Sequence, residues 1–166
     1  MPPRHTAGFT LVELVVVLML IGILGAVAGS RFFNLGDYQA RRYVDQLQAG
    51  LRHAQAVAIA TRGKVQVDID TAAPAARIAA DCTAAGTAVR APDGSGQVIP
   101  LPPSTNIALA VTGQTLPLKL CFNALGQPLF ATSAAGVPVT TALVFTISGG
   151  SDNLSFQIEP DTGFIH

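Results

Sequence analysis

Charged side chains are scarce in this chain. Only 12% of its 166 residues are Asp, Glu, Lys or Arg, and ten basic residues cancel ten acidic ones. A bulk electrostatic affinity for nucleic acid needs a surplus of positive charge, so it is not supported; a local basic patch stays open. Histidine is scarcer still. Beyond the first eight residues only His53 and His166 remain, neither beside a nucleophile or an acid, and no metal site is expected. The GxSxG elbow, the Walker loop, HExxH and CxxC are all missing, so the chain does not read as an enzyme and implies no cofactor. Asp68 and Asp70 alternate on a strand pattern and read as outward, solvated acids, because no loop supplies the further oxygens a calcium site needs. Asp93-Gly94-Ser95-Gly96 reads as a turn. No long repeat and no low-complexity linker is visible, so the C-terminal part is taken as one domain.

Cysteine occurs twice, at Cys82 and Cys121. Two readings are open. An even count downstream of an export-type segment suggests a disulfide, worth roughly 4 kcal/mol in the chain-entropy model. The other reading is two unpaired, buried thiols.

Against this background one stretch stands out: GFTLVELVVVLMLIGILGAVAGSRF, from Gly8 to Phe32. Glu13 is its single acid, and no further charge follows until Arg31. Phe9 to Ser30 as a helix would span about 33 Å, enough to cross a bilayer core. Arg4 before the run places the N-terminus in the cytoplasm and residues 37–166 outside. An ordinary secretory signal has its apolar core before the cut. Here the small residue, Gly8, precedes the run, so cutting after it leaves the anchor on the mature protein. A carboxylate inside a membrane helix costs on the order of 2.5–3.5 kcal/mol near the centre and less near an end, and it asks for a partner. Arg31 is too far along the helix. A free α-amine at Phe9 of a neighbouring copy would serve; snorkelling of Glu13 to the headgroups is the alternative.

Gly8-Phe9-Thr10-Leu11-Val12-Glu13 resembles the class III signal of type IV pilins and type II secretion pseudopilins. The resemblance implies that a prepilin peptidase cuts after Gly8 and methylates Phe9, and that Glu13 is the assembly residue, paired with the N-terminal amine of an adjacent subunit. It implies an inner-membrane, single-pass precursor with a periplasmic domain, later built into a filament with other pilins. Arg4 is the only charged residue of the leader, so the mature chain would hold nine basic against ten acidic residues. Many major pilins carry a proline further along this helix. Here Gly22, Gly25, Gly29 and Ser30 occur instead, read either as a soft spot or as small residues for close helix packing.

Asn34-Leu35-Gly36-Asp37 marks a bend or a fresh helix start. Ala40, Val44, Leu47, Leu51, Ala54 and Ala58 then form one apolar stripe, with Arg41, Arg42, Asp45, Gln48, Arg52 and Gln55 off it. Gly63 is the expected stop, with Arg62 in the last turn. Helical throughout, Phe9 to Arg62 would run about 80 Å. Strands are expected at 64–70, 76–80, 97–101, 106–112, 116–122, 129–132, 143–148, 154–159 and 163–166, with turns at 71–74, 123–128 and 160–163. A helix first and strands afterwards predicts an α+β fold: a long N-terminal helix on antiparallel sheets. The domain plan is a leader at 1–8, a membrane and filament-core helix at 9–36, and a globular domain at 37–166.

Residues 51–60 followed by the strand Val65 to Ile69, Cys121-Phe122-Asn123 with Gly126, and the end around Thr162-Gly163 are similar to the GspH/FimT group of minor pilins and pseudopilins. The length and cysteine pair are also similar to the minor pilin of mannose-sensitive haemagglutinin-type pili, of the same group. The resemblance implies a pilin-like fold and a structural subunit. For some FimT-like members it implies a DNA receptor at a pilus tip, for which Arg62, Lys64, Arg77, Arg90 and Lys119 are the candidate patch. Both functions stay open at this point.

Overall fold

A computed structural model describes residues 10–32, 35–92, 94, 96, 98–104, 106–149 and 152–166, with the side chains of 26–32 and 35 outside that description. Gly8 and Phe9 lie outside the described residues, as do Phe33 and Asn34 and the acid of the Asp93-Gly94 turn. The chain divides into two units between Leu35 and Gly36.

The first unit contains α1, Leu11–Phe32. Thr10 starts it: the Glu13 amide donates to Thr10 Oγ1 at 3.3 Å, and the Leu14 amide donates to the Thr10 carbonyl at 3.2 Å. Thr10-Leu11-Val12-Glu13 has the T-x-x-E spacing of a capping box, and Thr10 satisfies one of the amides that the first helical turn leaves open.

The second unit contains α2, Leu35–Thr61, but for its first residue. Ala40, Tyr43, Leu47, Leu51, Ala54 and Ala58 are buried along one face. The stripe therefore runs through Tyr43 where the apolar pattern suggested Val44, which is half-buried. The Tyr43 ring fills this turn, being 1% exposed. Burial pushes the Tyr43 phenol up to about 12. Gly50 faces the segment around Val98 so closely that a Cβ there would sit 2.2 Å from the Val98 carbonyl oxygen.

Nine strands follow among the described residues, all antiparallel: β1 Lys64–Ile69, β2 Ala75–Ala79, β3 Thr87–Ala88, β4 Ala108–Val111, β5 Leu118–Phe122, β6 Pro128–Phe130, β7 Val137–Pro138, β8 Leu143–Ser148 and β9 Leu154–Ile158. Six of them form a sheet in the order β3-β2-β1-β5-β6-β7, and three form a second sheet, β4-β8-β9. Val65, Val67 and Ile69 alternate inward on β1, as do Leu118, Leu120 and Phe122 on β5. They share one core with the α2 stripe and with Phe145, Ile147, Phe156 and Ile158 of the smaller sheet. Phe145 and Phe156 stand opposite each other across β8 and β9, their rings stacked 4.8 Å apart.

Four expectations change. Gln97 lies outside the described residues, and 98–101 is not a strand: Val98 and Ile99 bury their side chains, but the Val98 backbone lies against Gly50 of α2 instead of joining a ladder. The last segment contributes a single bridge, Ile158 to Ile165. Asp70 falls just past β1 and accepts the Ala72 amide at 2.9 Å. The stop of α2 is Arg62, not Gly63. The Arg62 amide donates to the Ile59 carbonyl and the Gly63 amide to the Ala58 carbonyl, the paired bonds of a Schellman motif, and the left-handed residue is Arg62 at φ 50°.

Candidate functional site

On α1, every large apolar side chain from Leu11 to Leu24 is exposed, from 42% at Val17 to 79% at Leu11. A helix that is apolar all round is stable only when something else covers it, another chain or lipid. Glu13 is the one acid in its first turn. A negative charge there is favoured by the helix dipole, by about 0.3–1 kcal/mol. The Thr10 hydroxyl takes the Glu13 backbone amide, while the Glu13 carboxylate is exposed and has no partner among the described residues. Thr10 is a contributor that the reading of Glu13 alone missed, although the T-x-x-E spacing before an apolar run was there to be read. Among the described residues no helix is long and apolar enough to cross a membrane. The span expected from Phe9 to Ser30 begins before, and ends beyond, the residues described with their side chains.

Of the two readings open for the cysteines, the structure takes the disulfide. Cys82 and Cys121 are joined with their Cα atoms 5.5 Å apart, both fully buried. With Leu129 and Ala131 they make a small cluster separate from the main core. Cys121 pairs with Gln66 across β5 and β1, so the disulfide ties the loop after β2 to the face of the large sheet turned away from the core.

The five candidate cations do not meet at one place. Arg77 and Lys119 flank Asp68 on that same outer face: Arg77 Nη1 binds Asp68 Oδ2, and Lys119 stands opposite Asp68 in register. Asp68 also accepts from Gln66 Nε2 at 3.0 Å, so it is a paired, half-buried acid. Arg62 and Lys64 line a shared pocket of about 470 Å³ at the end of the sheet. Arg90 is exposed, and its backbone carbonyl lies 3.0 Å from Nε2 of His53 on α2. Lys64 Nζ donates to the carbonyls of Ala134 and Ala135 at 3.1 and 3.2 Å.

A glutamine clamp closes the same end of the domain. Gln55 Nε2 donates to the carbonyls of Gly126 and Thr162 at 2.9 and 3.1 Å, and Gln127 Nε2 donates to the Asp161 carbonyl at 3.0 Å. Gly163, at φ 67°, admits the contact: a Cβ there would lie 2.1 Å from the Gly126 carbonyl oxygen. Two turns are thus fixed to α2 by side-chain amides.

These features define a pilin-like α+β protein, an N-terminal helix followed by antiparallel sheets. Residues 3–29 match the family model of the prokaryotic N-terminal methylation motif. The chain is similar to the type IV narrow pilus major component PilA5 of Thermus thermophilus, 47% identical over 51 residues. That match takes in 31% of this chain and 44% of the relative, so the chain spans less than half the length of that relative. Its fold is similar to the crystal structure of the Pseudomonas aeruginosa (strain PAO1) type IV minor pilin FimU, with a TM-score of 0.50 at 16% identity, over 78% of this chain and 88% of that one. The chain thus carries the methylation motif at its N-terminus and has a pilin-like fold.

Proposed function

We propose that this chain is a structural subunit, a minor pilin or pseudopilin of a type IV pilus or a type II secretion pseudopilus, and not an enzyme. A prepilin peptidase cuts after Gly8 and methylates Phe9. Before assembly the N-terminal helix anchors the chain in the inner membrane by a single pass, with residues 37–166 in the periplasm. In the filament the same helix packs against those of other pilins, and Glu13 pairs with the α-amine of Phe9 on the neighbour. The observation that carries this reading is Glu13: one unpartnered acid at the start of a helix whose large apolar side chains are exposed among the described residues. A cover that is apolar and offers one cation near Glu13 answers both demands. The relatives support it in their own names, one a component of a type IV narrow pilus, the other a type IV minor pilin.

Glu13→Ala should leave membrane insertion intact and lower the amount of subunit recovered in sheared filaments. Unchanged recovery would sink the role of Glu13. Mass spectrometry of the subunit from cells should show a methylated N-terminal Phe9; an N-terminus at Met1 would refute the processing step. A DNA receptor at a pilus tip is the competing reading, supported by Arg62 and Lys64 lining one pocket. A gel shift that weakens steeply with salt would favour it.

A further inference from the structure

The pocket at the C-terminal end of α2 has a feature that pilin assembly through the N-terminal helix does not use. Arg62 and Lys64 both line it, over a floor that includes Ala79, Ala80 and the exposed Leu125. Neither cation is ion-paired among the described residues. Lys64 is held by two carbonyls, which orient the ammonium without neutralising it. The Arg62 side chain has no hydrogen-bond partner among the described residues. Asp81, the acid that feels the Lys64 charge, is turned into its own loop. It accepts the Thr83 amide at 2.8 Å, the Thr83 hydroxyl at 3.0 Å and the Ala84 amide at 2.6 Å. Those bonds, the Thr83 amide foremost, hold its carboxyl below the usual carboxylate range; Lys64 contributes last.

Arg62 also occupies a conformation that glycine fills without strain, while the adjacent Gly63 is not left-handed. A guanidinium thus stands where the backbone disfavours a side chain. The Schellman bonds to Ala58 and Ile59 close two of the helix-end carbonyls that would otherwise repel an anion from this place.

We propose that this pocket receives the carboxylate of an acidic, aliphatic-flanked peptide segment of another protein chain. The carboxylate lies between Arg62 and the free side of the Lys64 ammonium, and an aliphatic neighbour covers Leu125. Nucleic acid fits less well. A strand of phosphates needs cations along a track, and Arg77, the candidate cation on the neighbouring strand, is engaged by Asp68.

The test is an NMR titration of the isotope-labelled full chain in detergent micelles with the capped peptide acetyl-Ala-Leu-Glu-Leu-Ala-amide. Saturable shifts at residues 62–64, 79–80 and 123–125 are expected. Replacing the peptide glutamate by glutamine, or Arg62→Gly in the protein, should weaken binding about tenfold, the loss of one charge-assisted hydrogen bond. Glycine adopts the left-handed stop freely, so Arg62→Gly keeps the fold and isolates the side chain. Equal binding of the two peptides, an unchanged affinity for Arg62→Gly, or the absence of saturable shifts would each overturn the proposal. So would a dT oligonucleotide shifting these resonances where the peptide does not. The titration needs no filament, so its outcome is independent of the assembly reading.

Discussion

Arg62 shows how much one residue can hold in tension. Its φ of 50° costs an L-residue roughly 1–2 kcal/mol, and glycine would recover that, less its own greater entropy loss on folding. Arg62→Gly should therefore raise stability by about 0.5–1 kcal/mol, read as a higher denaturant midpoint at constant m. A lower midpoint would mean that the side chain makes a stabilising contact. Tyr43 gives a pH dependence with a definite sign. Its folded pKa, about 12, lies above the ordinary phenol value of 10.0. The unfolded phenol ionises first, so stability is level below the unfolded value and falls as pH rises from there towards the folded one. Tyr43→Phe should flatten that part of the stability profile; a slope that persists would assign it to other groups. Glu13 belongs to this scale too: its acid is conspicuous in the sequence, and the T-x-x-E spacing that makes Thr10 its cap is legible there as well.

At the level of elements, α2 owes its place to a match between its apolar face and the inward side chains of the two sheets, and to one glycine. Gly50 lets the Val98 backbone approach. Gly50→Ala places a Cβ 2.2 Å from a carbonyl oxygen that has no rotamer to move, and should cost about 1–3 kcal/mol by thermal or chemical unfolding. A neutral effect would show that the 98–101 loop can shift. The same contact explains why this segment, apolar enough to look like a strand, is none. Periodicity reports which side chains are buried, but not whether the backbone finds a ladder or a helix. The two-residue strands β3 and β7 were illegible for a related reason. They exist because a sheet edge stands beside them, not because their residues favour extension.

At the scale of the molecule, the residues of the second unit share one core, and the disulfide adds a second small cluster outside it. Replacing both cysteines by alanine should lower the stability of the globular part by about 2–4 kcal/mol, with the fold retained because the main core is untouched. Loss of all cooperative unfolding in the double variant would mean that the outer-face cluster is required for the fold itself. The chain carries few charges, and one of its acids, Asp68, is held by Arg77 and Gln66. The basic residues named from sequence as one patch are accordingly spread over three places.

The sequence by itself determined that helix precedes strands, the apolar stripe but for one turn, the methylation motif and the isolation of Glu13. All of these are local: they depend on spacing along the chain and on the chemistry of single residues. Only the tertiary structure decided that Cys82 meets Cys121, that the Val98 backbone lies against Gly50, and that two of five cations share a pocket. Those facts depend on which segments are brought together across long stretches of chain. Burial selects that arrangement, and no pattern of neighbours in sequence encodes it.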